Sequence, residues 1–354
     1  MDRKTILLLG ISVIILVIML WFVGIDKVID ALKIANLWFI VLAILTQIFT
    51  YFLYTLRWEI LNKLADMDVG IKKLLPIVLV GLAVNNITPS GRGGGEPVRA
   101  YILAKQKEEY HFEESLATVV ADRALDTFPF VALAAITIAS MALFYNFDTW
   151  LLVIMVIAVI VIVAILIMLI YMCINPNFGA RVEGWIIGIL RRFYKKNSEK
   201  LENQIHDSIF GFQNTMVMLI SNKRGLVYTM GLSFLIWFFE IFRVYLVFLA
   251  FGANASPIMI GEVFIVASLV GMIPLLPGGL GAVDGIMILF YSAAGISSSI
   301  SAAVTVIERL ISYWMATIIG LVIMPYYGSS ALDKISSNSS QDETEESADN
   351  ETED

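Results

Sequence analysis

The clearest pattern in the chain is a series of long apolar runs separated by short polar segments. Six of these runs approach or exceed the length of about 20 residues that a helix needs to cross the roughly 30 Å hydrocarbon core of a bilayer. They are residues 6–23, 37–56, 116–145, 150–174, 226–251 and 302–326. The first run follows Arg3 and Lys4 and lacks a small-residue cleavage pattern, so it is interpreted as a retained signal-anchor helix. The pattern predicts six full transmembrane helices.

Two further apolar stretches, residues 74–87 and 258–276, lead into breaks rich in proline and glycine. The breaks are residues 88–97 and 274–281, and a second short apolar stretch follows each of them. Proline and glycine interrupt a regular helix, so each segment is predicted to be a broken, re-entrant helical hairpin. The predicted fold is therefore an all-α polytopic membrane protein.

The distribution of Lys and Arg indicates that the first hairpin returns to the side from which it starts. Cytoplasmic loops of membrane proteins carry the excess of positive charge. A hairpin that enters and leaves on the cytoplasmic side places seventeen Lys and Arg residues inside, and only Lys27 and Lys33 outside. A single crossing would place the eight bases between Arg181 and Arg224 on the outer face. We therefore predict a multi-pass protein of the cell membrane with both termini in the cytoplasm.

Composition supports this interpretation and removes several other classes of protein. Of the 354 residues, 58% are hydrophobic and 16% are charged, which excludes a soluble globular protein. The net charge of −7 arises from the tail, because the last fourteen residues hold eight acids and no base. The sequence has no strongly basic patch for nucleic acid, and one Cys with two His leaves neither a disulfide framework nor a zinc cluster. We expect no cofactor and no nucleic-acid partner.

The domain organisation follows from the same pattern. Residues 1–327 are predicted to form a single transmembrane domain, and residues 328–354 an acidic disordered tail. Residues 175–224 form a basic linker in which Trp185, Ile189 and Phe193 recur at helical spacing. This linker is either an amphipathic helix beside lipid headgroups or a solvated connector.

The same order of features occurs twice along the chain. The first copy, about residues 37–145, contains in order Arg57, the first break, Glu96, and the adjacent Asp122 and Arg123. The second copy, about residues 226–327, contains in order Arg243, the second break, Asp284, and the adjacent Glu308 and Arg309. Under the predicted topology the first helices of the two copies run in opposite directions, so the repeat is inverted. Inverted repeats with discontinuous helices are typical of alternating-access transporters, and chance likeness between two breaks is the alternative.

The two glycine-rich turns are candidate ligand-binding segments. Irregular backbone is not tolerated against lipid, so both turns must line a cavity or be buried in protein. Glycines permit positive φ and close backbone approach, and the helices expected to begin near Pro97 and Ala282 present free N–H groups that suit an anion. Packing corners without a ligand are the alternative. The candidates are Arg92, Gly93, Gly94, Gly95, Glu96 and Arg99 in the first turn and Pro277, Gly278, Gly279, Gly281 and Asp284 in the second.

Charged residues inside the predicted spans are the sharper signal, because each costs about 2.5–3.5 kcal/mol near the middle of the bilayer. These charged residues are Asp122, Arg123, Asp126, Arg243, Glu308 and Arg309, and all but Arg243 are candidate ligand residues. Arg243 is expected to form a local pair with Glu240, and Asn85 and Asn86 are expected to cap the first broken helix. Arg123 is expected to pair with Asp126, three residues further along the helix. Glu308 and Arg309 point apart, so each is expected to find a partner elsewhere, with the acids of the turns as candidates. These charges either form structural ion pairs or line a cavity in which arginines bind a lipid phosphate.

Several of these segments together resemble the flippase-like transmembrane family of lysylphosphatidylglycerol synthases. The segments are NITP at 86–89, GEPVR at 95–99, DRALD at 122–126 and LPGGLGAVDG at 276–285, with Arg309. The resemblance covers about residues 6–327. It implies movement of an anionic lipid headgroup between leaflets, and homo-oligomer formation. The soluble aminoacyl-transfer domain of the synthases has no counterpart in this sequence, so synthase activity is not implied.

The leading hypothesis is a lipid flippase or transporter that moves an anionic phospholipid or lipid-linked headgroup, rather than an enzyme. Its phosphate ligands would be Arg92, Arg99, Arg123 and Arg309, with the neighbouring acids balancing charge or carrying protons. The alternative is an intramembrane transferase acting on a polyprenyl-phosphate-linked sugar, with Mg²⁺ held by Asp122 and Asp126. A third class is a receptor or scaffold that uses the acidic tail and the basic linker to bind a partner.

Overall fold

A computed structural model of the protein describes residues 33–88, 93–144, 149–175, 198–273 and 279–327, with seven further residues between 178 and 188. Several predictions lie outside these residues. They are the first apolar run at 6–23, the turn residues Arg92, Pro277 and Gly278, most of the linker before residue 198, and the tail from residue 328.

All regular elements in the described ranges are helices, which confirms the all-helical prediction. We number them in chain order as α1 (Leu37–Leu64), α2 (Ile71–Ile87), α3 (Gly95–Ala104), α4 (Phe112–Phe144), α5 (Thr149–Ile174), α6 (Ser198–Ser221), α7 (Lys223–Ala250), α8 (Pro257–Gly271), α9 (Ala282–Ala293) and α10 (Ser298–Tyr327). Five helices, α1, α4, α5, α7 and α10, are long and apolar enough to cross a membrane. They correspond to five of the six predicted spans.

Helix α1 continues two turns beyond its predicted end at residue 56. The prediction stopped there because the next residues, Arg57 and Glu59, are charged. In the structure both side chains are buried, and Arg57 is completely so. The helix continues because its charged residues are compensated by partners inside the protein rather than placed against lipid.

Each predicted broken segment is a pair of short helices that pack side by side, α2 with α3 and α8 with α9. With 17 and 15 residues, α2 and α8 are about 25 and 22 Å long and fall short of the hydrocarbon core. The start of α2 and the end of α3 lie at the same end of the molecule, because residues 68–73 and 106–107 line one pocket there. In the second pair, Val266 of α8 belongs to the same apolar cluster as Ile286 and Phe290 of α9.

Close packing of α2 on α3 depends on two glycines. A Cβ added to Gly95 would lie 2.7 Å from the carbonyl carbon of Gly81, and a Cβ added to Gly81 would lie 2.5 Å from Cγ of Arg99. Such distances are too short for carbon atoms. Glycine at position 95 allows the start of α3 to touch the backbone of α2, and glycine at position 81 leaves room for the Arg99 side chain. This contact sets the first turn directly against the helix that precedes it.

Helices α1 and α7 form an extensive antiparallel pair along their whole length. At one end the Asn36 N–H donates to the Ala250 carbonyl oxygen at 2.7 Å. At the other end Leu64 packs directly on Gly225. The two helices that begin the predicted repeats therefore run in opposite directions.

The remaining helices lie around this centre. Helix α5 buries little of its surface and exposes apolar side chains on most sides, which is typical of a helix facing lipid. The last part of the linker forms α6, which packs on α4 and α5. Its Met216 and Leu219 are buried in the same apolar cluster as Trp58 and Leu61 of α1. This part of the linker is thus packed against the helix bundle.

Candidate functional site

Arg57 is the centre of an ion-pair network in the first half of the molecule, residues 37–144. Its Nε donates to Asp122 Oδ1 at 2.7 Å, and its Nη1 donates to Asp126 Oδ1 at 2.8 Å. The same Nη1 also donates to Ser233 Oγ of α7 at 2.8 Å. Asp126 therefore pairs with Arg57, and the expected pairing of Asp126 with Arg123 is replaced by this contact.

Arg99 joins the same network from α3. Its two terminal nitrogens each lie 3.1 Å from Asp122 Oδ2, and its guanidinium stacks 4.2 Å from the ring centre of Trp58. The side chain is only 4% exposed. Arg99, predicted to bind a headgroup phosphate, is thus engaged inside the protein by Asp122 and Trp58.

Arg243 has the corresponding place in the second half, residues 223–327. Its Nη2 donates to Glu308 Oε1 at 2.8 Å. Its Nη1 bonds to Glu240 on the same helix and to Gln47 on α1. Like Arg57, Arg243 is buried and contacts two carboxylates and one uncharged side chain.

The two networks have the same sequence spacing. Arg57 and Asp122 are 65 positions apart, and so are Arg243 and Glu308. Two crossed hydrogen bonds also link the halves, because Arg57 on α1 binds Ser233 on α7 and Arg243 on α7 binds Gln47 on α1. Gln47 and Ser233 stand equally far before the arginine of their own helix. The halves therefore match in both their contacts and their spacing.

A second pair of ion pairs ties each turn to a long helix. Glu96 at the start of α3 lies 2.6 Å from Arg123 Nε of α4. Asp284 at the start of α9 lies 2.9 Å from Arg309 Nε of α10. The expectation that Arg309 pairs with an acid of the turns agrees with this geometry, whereas Arg123 binds Glu96 rather than Asp126.

The described turn residues differ from expectation in two ways. Gly279 and Gly281 have positive φ, as predicted, but Gly94 has φ −78° and Gly95 already belongs to α3. Helix α3, which follows the first turn, thus begins at Gly95 rather than near Pro97. The Gly95 N–H donates to Asn85 Oδ1 at 2.7 Å.

The second turn is capped in a similar way, because the Gly281 N–H donates to Asp284 Oδ2 at 2.7 Å. Each short helix therefore has one of its first N–H groups bound by a side chain of this protein. These two donors are occupied, so a ligand in the site would rely mainly on side chains.

A cavity of about 160 Å³ lies between the two halves, and we call it the chamber. Four polar side chains of the first half line it, namely Asn85, Asn86, Arg123 and Asp126, and six of the second, namely Glu240, Arg243, Ser268, Glu308, Arg309 and Ser312. Aromatic side chains complete part of the wall, among them Tyr54, Trp237, Phe264 and Tyr313. Four predicted site residues, Arg123, Asp126, Glu308 and Arg309, thus come together in one cavity.

The other described candidates lie beside the chamber and do not line it. Glu96 and Asp284 hold the two chamber arginines, and Asp122 and Arg99 belong to the buried network behind them. Gly93 is exposed, and Gly94, Gly95, Gly279 and Gly281 shape the turns.

Helix α10 has a π-helical turn, Leu310–Trp314, directly after Arg309. The Arg309 guanidinium lies 4.4 Å from the ring centre of Tyr313, whose hydroxyl donates to the Asn86 carbonyl oxygen at 2.9 Å. Asn86 Nδ2 in turn donates to Thr317 Oγ1 at 2.8 Å. Single π-turns inside α-helices occur frequently at functional sites. Here the turn carries Ser312 and Tyr313, which both line the chamber.

The sequence interpretation missed several residues of the site. Arg57 was counted among the cytoplasmic bases. Glu240 and Arg243 were predicted only as a local pair, which the structure contains, and Asn85 and Asn86 only as caps of the broken helix. The signal for Arg57 and Arg243 was the repeated order of features, in which both stand before the turns. Within the described residues, no group of three or more His, Cys, Asp or Glu side chains is placed to hold a metal ion.

Comparison with known proteins agrees with this architecture. The family described as the lysylphosphatidylglycerol synthase transmembrane region matches residues 6–320. The chain belongs to this family. The match contains all described helices except the last turns of α10, and it covers both networks and the chamber.

Relatives in archaea resemble the chain over nearly its whole length. A UPF0104 membrane protein of Methanothermobacter thermautotrophicus is 48% identical over 335 residues, which are 95% of this chain and 99% of that protein. One of Pyrococcus horikoshii is 30% identical over 331 residues, 91% of this chain and 96% of its own. One of Methanocaldococcus jannaschii is 32% identical over 329 residues, 91% of this chain and 94% of its own. The chain is thus a multi-pass membrane protein of this family.

Proposed function

We propose that the protein is a lipid transporter that moves an anionic phospholipid or lipid-linked headgroup between the leaflets of the membrane. The observation that carries this proposal is the chamber, where Arg123 and Arg309 from matching positions of the two halves line one cavity. Each arginine is held from behind by a carboxylate of the neighbouring turn. Guanidinium groups bind phosphate through paired N–H donors, so the two arginines suit one headgroup.

The chamber is too small to enclose a whole lipid. At about 160 Å³ it is smaller than the roughly 300–1,000 Å³ of pockets that enclose drug-sized ligands. The Arg123 side chain is 32% exposed, which leaves it accessible to a ligand although it is paired with Glu96. In this proposal the phosphate enters the chamber while the acyl or isoprenoid chains stay in the lipid.

The relation between the halves supports a mechanism of alternating access. Helices α1 and α7 are antiparallel, and both halves contain a broken helix pair and the same two ion pairs. Transporters with inverted repeats expose a central site to each side in turn by rocking one repeat against the other. We propose that α2–α3 and α8–α9 are the re-entrant hairpins of such a repeat. The chamber between them would then open alternately to the two leaflets.

Leaflet exchange of a labelled lipid tests the proposal. The full chain is reconstituted in liposomes that contain phosphatidylglycerol labelled with nitrobenzoxadiazole, and dithionite is added outside to bleach the accessible label. We expect the protein to expose inner-leaflet label, and Arg123→Gln with Arg309→Gln to slow this exchange at least tenfold, since hydrogen bonds to a charged group contribute about 1.5–3 kcal/mol each. Arg224→Gln, at an exposed arginine outside the chamber, is the matched control.

Two results would contradict the proposal. Exchange at the same rate by the double variant and the unaltered protein, with equal thermal stability of both, would leave transport standing but remove the chamber as the headgroup site. The other is the absence of exchange for both labelled phosphatidylglycerol and a labelled polyprenyl phosphate, combined with metal-dependent formation of a new lipid product. That second result would favour the intramembrane transferase.

A further inference from the structure

The two halves differ in how their buried carboxylates are compensated. In the first half, Asp122 receives a guanidinium on each oxygen, Arg57 on Oδ1 at 2.7 Å and Arg99 on Oδ2 at 3.1 Å. In the second half, Glu308 receives Arg243 on Oε1 at 2.8 Å. Among the described residues no donor reaches Glu308 Oε2, although the residue is buried and lines the chamber.

The repeat explains what is missing beside Glu308. Arg99 follows the turn acid Glu96 by one helical turn, and in the second half Met287 follows Asp284 at the same spacing. Met287 is buried and lines the chamber together with Glu308. The position that supplies the second cation in the first half therefore holds an uncharged thioether in the second.

The ionised groups of the two halves consequently do not balance equally among the described residues. The first half places Arg57, Arg99 and Arg123 against Glu96, Asp122 and Asp126. The second half places Arg243 and Arg309 against Glu240, Glu308 and Asp284. The network of the second half thus has one carboxylate in excess, in a region where an uncompensated charge is costly. Glu262 of α8, which is buried as well, lies outside this network and does not line the chamber.

Two groups act directly on Glu308, namely Arg243 of α7 and Tyr291 of α9. Arg243 is also surrounded by Glu240 of α7 and by Gln47 and Tyr51 of α1. Arg309, the next residue of α10, lines the same chamber and is paired with Asp284. The Tyr291 hydroxyl is buried without a hydrogen-bond partner among the described residues and lies within electrostatic range of Glu308. A small cation beside Glu308 would therefore lie near the oxygen atoms of Glu308 and Tyr291. The arginine beside it, Arg243, is already shared by Glu308 and Glu240.

We propose that Glu308 Oε2 binds a monovalent cation, either a proton or an alkali metal ion, which enters the chamber together with the anionic headgroup. The cation takes the place of the guanidinium that Arg99 supplies to Asp122 in the other half. This inference rests on the proposed transport function and adds its coupling ion. Because the headgroup brings negative charge into a site with one excess carboxylate, headgroup and cation each raise the affinity of the other.

Binding of a short-chain lipid measures this coupling directly. The probe is dihexanoyl phosphatidylglycerol, titrated calorimetrically into the purified full chain in detergent. In one arm the pH is lowered with choline as the only added cation, and in the other sodium or potassium replaces choline at constant pH. We expect the affinity to rise about tenfold in the arm that supplies the coupling cation, which also identifies it. The thermal unfolding midpoint of the lipid-free protein should rise with the same cation.

Two variants connect the effect to Glu308. Glu308→Gln removes the charge and should abolish the cation dependence of both lipid affinity and unfolding midpoint. Met287→Arg supplies the missing guanidinium and should make both readouts independent of cation, whereas Met287→Leu, of similar volume, should retain the dependence. Persistence of the full cation dependence in Glu308→Gln, or its absence from the unaltered protein in both arms, would overturn the inference.

The outcome separates this inference from the transport proposal. Leaflet exchange that responds to Arg123→Gln and Arg309→Gln but not to any cation leaves transport standing and removes the coupling. A cation-dependent unfolding midpoint that Glu308→Gln abolishes, in a protein that exchanges no lipid, leaves the cation site standing and removes transport.

Discussion

At the scale of single residues, Arg57 shows how a charge is accommodated inside a membrane protein. The side chain is completely buried, and its guanidinium contacts Asp122, Asp126 and Ser233. Taking a charge out of water is tolerated only when partners compensate for the lost hydration. Arg57 therefore holds α1, α4 and α7 together, and Arg243 does the same for α7, α10 and α1.

Replacing Arg57 should destabilise the whole protein. In Arg57→Gln, Asp122 keeps only the ion pair with Arg99, and Asp126 loses its ion pair with Arg57. We therefore expect the free energy of unfolding to fall by about 3–5 kcal/mol. Lys107→Gln is the matched control, because Lys107 is exposed and pairs with Glu109, which is exposed as well. Unfolding of both variants in detergent by a chemical denaturant provides the comparison. Equal stability of the two variants would show that the buried network contributes little.

At the scale of helices, the short elements α2, α3, α8 and α9 place the site, although they are too short to cross a bilayer. Their turns bring Glu96 and Asp284 to the ends of helices, where each acid reaches an arginine of a long helix. The α2–α3 contact depends on backbone approach at Gly81 and Gly95, while positive φ at Gly279 and Gly281 shapes the second turn. The two turns thus use glycine for different physical reasons.

Gly95→Ala tests the backbone approach in the first turn. The added Cβ would overlap the Gly81 carbonyl group, so we expect a destabilisation of about 1–3 kcal/mol from overpacking and a slower leaflet exchange. Gly231→Ala is the control, since a Cβ at this helical position meets nothing within 4 Å. The thermal unfolding midpoint should fall for the first variant and stay constant or rise for the second. A fall of equal size in both would argue against the close approach.

At the scale of the whole molecule, two halves with matching networks enclose one chamber. Helices α1 and α7 form the antiparallel contact between the halves, and the crossed bonds from Arg57 to Ser233 and from Arg243 to Gln47 lie within it. Every described charged side chain of the chamber forms an ion pair with another residue of the protein. These ion pairs fix the positions of the charged side chains before a ligand binds. Such preorganisation is what a binding site for a charged headgroup requires.

The proposed inverted repeat predicts which loops share a side of the membrane. The test introduces single cysteines into a Cys173→Ala background at four exposed positions. Asp68 after α1 and Glu108 after α3 report on one side of the membrane. Asn254 after α7 and Ala294 after α9 report on the other. A membrane-impermeant maleimide added outside intact cells should label positions 254 and 294 and leave positions 68 and 108 unlabelled until the membrane is permeabilised. Labelling of positions 68 and 108 from opposite sides would rule out a re-entrant first hairpin.

Much of the fold could be predicted from the sequence because membrane insertion is a local property. The hydrophobicity of a run depends on its own residues, so five long helices and the two broken segments follow from the pattern of apolar residues. The order Arg57, Glu96, Asp122, Arg123 and its counterpart in the second half also indicated two related halves. The predicted helix ends were less accurate where a helix continues past a buried charged residue, as α1 does past Arg57.

The partners of the charged residues could not be obtained in the same way. Spacing along one helix predicted Arg123 with Asp126, but the structure pairs Arg123 with Glu96 and Asp126 with Arg57. A buried charge binds whichever opposite charge the packing of helices brings nearest, and that neighbour is here up to 69 positions away in the chain. The sequence alone determined the class of protein and its five described long helices. Only the tertiary structure decided which arginines line the chamber and which, like Arg99, are bound inside the protein, because long-range helix packing selects the partners.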